Sequence, residues 1–105
     1  MYVDTPQGLK ALCQKLAQKS LIAFDTEFVA EDSYKPELCL VQVAAEGIAA
    51  VIDPYTCGEI NPFWELLLDP NRTVVVHSGR EEILFCLRAT GKTIPGLFDI
   101  QIAAA

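Results

Sequence analysis

Leu21-Ile22-Ala23-Phe24-Asp25-Thr26-Glu27-Phe28-Val29 is the stretch from which the rest of the chain can be organised. Its aliphatic, β-branched and aromatic residues predict a strand. Asp25 and Glu27 interrupt the apolar run at i and i+2. Side chains alternate along a strand, so the two carboxylates share one face. Two neighbouring acids in a sheet repel each other and lose hydration. A divalent cation relieves both costs directly, and oxygen-only ligands favour Mg²⁺ or Mn²⁺ over zinc. The spacing taken alone equally fits a solvated strand end with two ordinary surface acids.

Upstream, Thr5 reads as an N-cap with Pro6 at the first helical position. Leu9, Leu12, Cys13, Leu16 and Ala17 then recur at helical spacing, and Ser20 is expected to end the helix. Downstream, Leu38 to Ala44 predicts a second strand, with Leu38, Leu40 and Gln42 on one face and Cys39, Val41 and Val43 on the other. Glu46-Gly47 marks a turn, and Ile48 to Ile52 a third strand ended by Asp53-Pro54. Short links between these strands predict an antiparallel meander. Asn61-Pro62 should start a short helix, Phe63 to Leu68, stopped by Asp69-Pro70-Asn71. Thr73 to His77 is a continuous apolar run, the pattern of a strand buried on both faces. Gly79 permits a turn into a helix from Arg80 to Thr90, with Gly91 at C′. Asp99 reads as the N-cap of a last helix, Ile100 to Ala105, which nothing stops; the expectation is a chain cut inside an element. The fold class is α/β, a mixed sheet flanked by helices.

A chain of 105 residues has room for one small domain. Hydrophobic residues make up 51% and charged residues 21%, enough apolar material for a core and against disorder. Fourteen acids against eight bases give a net charge of -6, which excludes a generic basic nucleic-acid binder or a polybasic membrane protein. It leaves room for a nuclease, whose carboxylates hold divalent metals. No apolar run approaches the roughly 18 residues of a transmembrane helix, and Met1-Tyr2-Val3-Asp4 does not begin a signal peptide. Cys13, Cys39, Cys57 and Cys86 form no CxxC, and His77 is the sole histidine. That argues against a zinc knuckle or a disulfide framework and for reduced, mostly buried thiols in a cytoplasmic protein.

Three further segments extend the pattern: Pro36-Glu37-Leu38-Cys39-Leu40-Val41-Gln42-Val43, His77-Ser78-Gly79-Arg80-Glu81-Glu82-Ile83-Leu84, and Leu97-Phe98-Asp99-Ile100-Gln101-Ile102-Ala103-Ala104-Ala105. In this order the chain resembles the start of the ribonuclease D family, 3′→5′ exonucleases of the DEDD class with a ribonuclease-H-like fold. The resemblance runs through all 105 residues and covers the N-terminal part of one exonuclease domain. It implies two divalent ions, Mg²⁺ or Mn²⁺, and an RNA substrate with a free 3′ end, tRNA precursors among them. Nucleoside 5′-monophosphates would be the products. Asp25 and Glu27 match the first motif and would bind both ions, with Glu27 also near the terminal nucleotide. Glu82 matches the second motif, where the family has aspartate; its extra methylene implies reduced or altered activity. Phe28 and Val29 would lie against the terminal base.

The third motif, Tyr-x-x-x-Asp, is absent from these residues. Tyr55 to Glu59 is a decoy in a turn before the second motif. The chain by itself is therefore expected to be weak or inactive. The alternative is a catalytically inactive ribonuclease-H-like module that binds RNA or protein. Read without the resemblance, Glu81 and Glu82 are first-turn acids complementing a helix dipole. His77 is a strand-end residue, Phe63 and Trp64 are the apolar face of a short helix, and Asp99 is a cap and no metal ligand. Apolar surface left where further helices would pack is a candidate route to self-association.

Overall fold

The computed structural model describes residues 1–29, 37–76 and 80–99; the side chains at 28, 29, 37–39, 80 and 81 lie outside that description. The elements in order are β1 (Tyr2–Val3), α1 (Pro6–Leu16), β2 (Leu21–Val29), β3 (Glu37–Ala45), β4 (Ile48–Ile52), α2 (Pro54–Cys57), α3 (Asn61–Leu66), β5 (Thr73–Val76), α4 (Arg80–Thr90) and β6 (Leu97–Asp99). They build a six-stranded mixed sheet in the order β1-β4-β3-β2-β5-β6.

The expected meander is present. β2 runs antiparallel to β3, and β3 antiparallel to β4. Gly47 makes the β3–β4 turn at φ 74°, a conformation that costs glycine little. β5 and β6 add parallel strands beside β2, and β1 pairs parallel with β4. The β2–β3 register shifts between Glu27 and Phe28: Glu27 faces Leu40, and Phe28 faces Leu38.

Alternation divides each strand between two environments. Ile22, Phe24 and Thr26 of β2, Val41 and Val43 of β3, Ala50 and Ile52 of β4, and Val74 and Val76 of β5 are buried. The apolar members of this set form one core with Leu9, Leu12 and Leu16 of α1, Phe63 and Trp64 of α3, and Phe85 and Cys86 of α4. Phe24 meets Phe63 and Trp64 edge-on, with ring centroids 5.7 and 5.8 Å away. Phe63 and Trp64 are thus core, as their helical spacing predicts. The opposite face carries exposed Leu21 and Phe98, half-exposed Val75 and Val51, and small alanines.

Several expectations are corrected. Thr73 to Val76 is not buried on both faces: Thr73 is exposed and Val75 half-exposed, because no described element covers that side. Asp99 does not cap a helix but ends β6, paired with Val76; 100–105 and His77 lie outside the described residues. α1 ends at Leu16, before Ser20, with Ala17 as its C-cap. α3 begins at Asn61, with Ile60 at the N-cap, while the Asn61 amide donates to Glu59 Oε1 at 2.5 Å. Asp53, read as a strand stop, also caps the short α2 by accepting from the Tyr55 N–H at 3.0 Å. The Thr5 cap of α1 is as expected, accepting from Gly8 N–H at 3.0 Å.

Candidate active site

β2 presents Asp25 and Glu27 on the face its buried neighbours Phe24 and Thr26 leave to solvent, and both carboxylates are exposed. The antiparallel register sets Gln42 opposite Asp25 and half-buried Leu40 opposite Glu27. A shallow concavity of about 520 Å³ opens on this face, lined by Ala23, Asp25, Gln42, Ala44, Val51 and Val75 among others. Its walls are mainly aliphatic, so polar contacts come from Asp25 and Gln42. The Asp25 carboxylate also accepts from the Thr26 N–H at 2.9 Å, which restrains one oxygen beside its own backbone.

Glu82 is placed differently. It is the third residue of α4 and only 4% exposed, on the helix face that carries Phe85 and Cys86. The Thr26 hydroxyl donates to Glu82 Oε2. Thr26 points to the helix-covered side of β2, away from Asp25 and Glu27. Glu82 is therefore no solvated first-turn acid, and it meets the strand from the opposite side to the exposed pair. Among the described residues, no group of three His, Cys, Asp or Glu side chains is placed to hold a metal ion.

Asp25 and Glu27 suit a hard divalent cation: two oxygen donors on one face, both facing solvent. Glu82 as placed does not complete that set. The Phe28 and Val29 side chains, proposed against a terminal base, lie outside the described residues, as does Glu81. Two residues near the pair were not singled out from sequence. Gln42 becomes relevant only through the β2–β3 register. Thr26 becomes relevant through Glu82, and the signal for that was present: Glu82, Phe85, Cys86 and Ala89 follow i, i+3, i+4, i+7 and so define the inward stripe of α4.

The remaining polar chemistry is structural. Cys13, Cys57 and Cys86 are free thiols, and burial pushes Cys13 up to about 11, where it is a poor nucleophile. Among the described residues, no helix is long and apolar enough to cross a membrane.

A family model described as 3′-5′ exonuclease matches residues 1–105. Ribonuclease D of Zymomonas mobilis is 45% identical over 98 residues, which cover 91% of this chain and 25% of that protein. Ribonuclease D of Sphingobium indicum is 45% identical over 104 residues, covering 97% of this chain and 27% of that protein. The crystal structure of Escherichia coli RNase D, an exoribonuclease involved in structured RNA processing, superposes with a TM-score of 0.90 at 34% identity. That alignment covers 100% of this chain and 28% of the other. The chain thus spans about a quarter of the length of the curated relatives it matches.

Proposed function

The chain belongs to the 3′-5′ exonuclease family and has the ribonuclease-H-like fold of its relatives, and from that premise we propose a metal-dependent 3′→5′ exoribonuclease. It shortens RNA from a free 3′ end and releases 5′-mononucleotides, tRNA precursors being one substrate class. Residues 1–105 form the N-terminal part of its single exonuclease domain, in a cytoplasmic protein. The observation that carries this reading is the exposed pair Asp25 and Glu27, side by side on the open face of β2.

Two divalent ions, Mg²⁺ or Mn²⁺, supply an activated water and charge neutralisation at the scissile phosphate when bound. Asp25 and Glu27 hold them through carboxylate oxygens. Gln42, opposite Asp25, offers amide donors to a phosphate oxygen. Phe28 and Val29 continue β2 beyond Glu27 and lie beside the terminal base. With a net charge of -6 the chain supplies little attraction for RNA by itself, so substrate binding depends on the ions these acids hold.

A 3′-labelled single-stranded RNA incubated with the full protein and Mn²⁺ tests the reading. Wild type should release labelled mononucleotide, and Asp25→Asn should not. Equal release by both, or release of longer oligonucleotides, contradicts it. The second reading is a non-catalytic module that binds RNA or protein, favoured by the engagement of Glu82 with Thr26. Under it, RNA is retained intact by wild type and Asp25→Asn alike.

A further inference from the structure

We propose that Glu82 is a positioning residue: acting through Thr26, it fixes the setting of Asp25 and does not itself ligate the cation. This rests on reading Asp25 and Glu27 as the cation-binding pair. The two sides of β2 supply the geometry. Asp25 and Glu27 are exposed on one side, whereas Thr26 is 7% and Glu82 4% exposed on the other. Thr26 is paired in the ladder with Val41, so β2 and β3 form a continuous wall between Glu82 and the open face. For Glu82 to reach a cation there, α4 would have to withdraw Phe85 and Cys86 from the core that holds them.

Thr26 is also the one residue bonded to both sides. Its hydroxyl donates to Glu82, and its N–H donates to Asp25 Oδ1 at 2.9 Å. A shift of Thr26 therefore moves an Asp25 oxygen with it. The need for such a tie is local. The register breaks between Glu27 and Phe28, so the ladder next to the pair is weakened where a cation demands fixed oxygens. A buried carboxylate is costly without hydrogen-bond partners, and the Thr26 hydroxyl meets part of that need. Glu82 has interactions besides this one.

The two roles respond differently to a neutral acceptor. Gln at 82 keeps an oxygen for the Thr26 hydroxyl but loses the charge a ligand requires. Mn²⁺ titration calorimetry on the full chain, with amide resonances recorded before metal is added, reads both. Glu82→Gln should stay within about threefold of the wild-type Mn²⁺ affinity, whereas Thr26→Val and Glu82→Leu should each lose about tenfold or more. Both weakened variants should shift the metal-free Asp25 and Glu27 amides in the same direction. Adding Glu82→Gln to Thr26→Val should bring no further loss. If Glu82→Gln loses Mn²⁺ as completely as Asp25→Asn does, Glu82 is a ligand and the proposal is overturned. If wild type and Asp25→Asn bind Mn²⁺ equally, the cation reading itself fails. The amides then decide: a common shift in Thr26→Val and Glu82→Leu upholds the tie, and unmoved Asp25 and Glu27 amides overturn it. Should Glu82→Leu not fold, Thr26→Val and Glu82→Gln carry the same comparison.

Discussion

Gly96 lies so close to the main chain of Arg72 that a Cβ on it would stand 2.0 Å from the Arg72 carbonyl oxygen. The same glycine accepts from the Val74 N–H at 2.9 Å, so it is where β6 joins β5. Neither backbone has a flexible end that could yield. Gly96→Ala should destabilise the fold by about 2 kcal/mol or more through forced separation of the two strands. Urea unfolding measures the loss. Hydrogen exchange should place it in β5 and β6, and unchanged protection of the Val74 amide would count against the account.

The side chain of Arg72 joins elements distant in sequence. Its guanidinium, buried with the residue 6% exposed, donates to Ala17 O, Lys19 O and Leu66 O at 3.0, 2.9 and 2.5 Å. These carbonyls lie just past the end of α1 and at the last residue of α3, where helix termini leave acceptors without intrahelical partners. Asp69, 3.8 Å away and well exposed, adds little. Arg72→Met should cost about 3 kcal/mol, as three carbonyls lose a charged donor. Arg72→Lys should recover less than half of that by urea denaturation, because an ammonium cannot span the same fork of acceptors.

Asp25→Asn and Glu27→Gln should leave metal-free stability within about 0.5 kcal/mol of wild type, because both side chains are exposed and packed against nothing. Each should lower Mn²⁺ affinity by at least about tenfold, equivalent to about 1.4 kcal/mol. The contrast between the two measurements is the test: a loss of stability matching the loss of affinity would mark these acids as structural.

Tyr2 donates its phenol proton to Asp53 Oδ2 at 2.7 Å, tying β1 to the end of β4. This bond is the main reason the Asp53 carboxyl lies below its ordinary 3.8 and the Tyr2 phenol above its ordinary 10.0. A lowered carboxyl stabilises the fold above pH 3.8, and that contribution is lost as pH falls through the still lower folded value. A raised phenol stabilises below pH 10.0 and is lost as pH rises through its folded value. Tyr2→Phe should move the Asp53 carboxyl, followed by NMR, upward but short of 3.8, since the Tyr55 N–H still donates to it.

Much of the fold could be read locally. The alternation in Leu21 to Val29 and in Leu40 to Val43 correctly assigned inner and outer faces, because a strand's period does not depend on its partner. Thr5-Pro6 and Gly91 marked helix ends through chemistry contained within a few residues. β1 and β6 were missed for the converse reason. Two residues, Tyr2 and Val3, and three, Leu97 to Asp99, carry no period of their own and become strands only by pairing with Val51 and Ile52 or with Val74 to Val76. The apolar run from Thr73 was misread because composition reports capacity for burial, while exposure depends on what lies across the sheet.

The amino-acid order by itself determined that Asp25 and Glu27 share a face, that three strands form a meander around them, and that Phe63 and Trp64 belong to the core. Each follows from spacing along one element. Only the tertiary structure decided that this face is open to solvent, that Gln42 stands opposite Asp25, and that Glu82 approaches β2 from behind, at Thr26. Those facts depend on which strands pair, in what register, and on which side α4 docks. They are set by contacts between residues up to 56 positions apart, which no local pattern encodes.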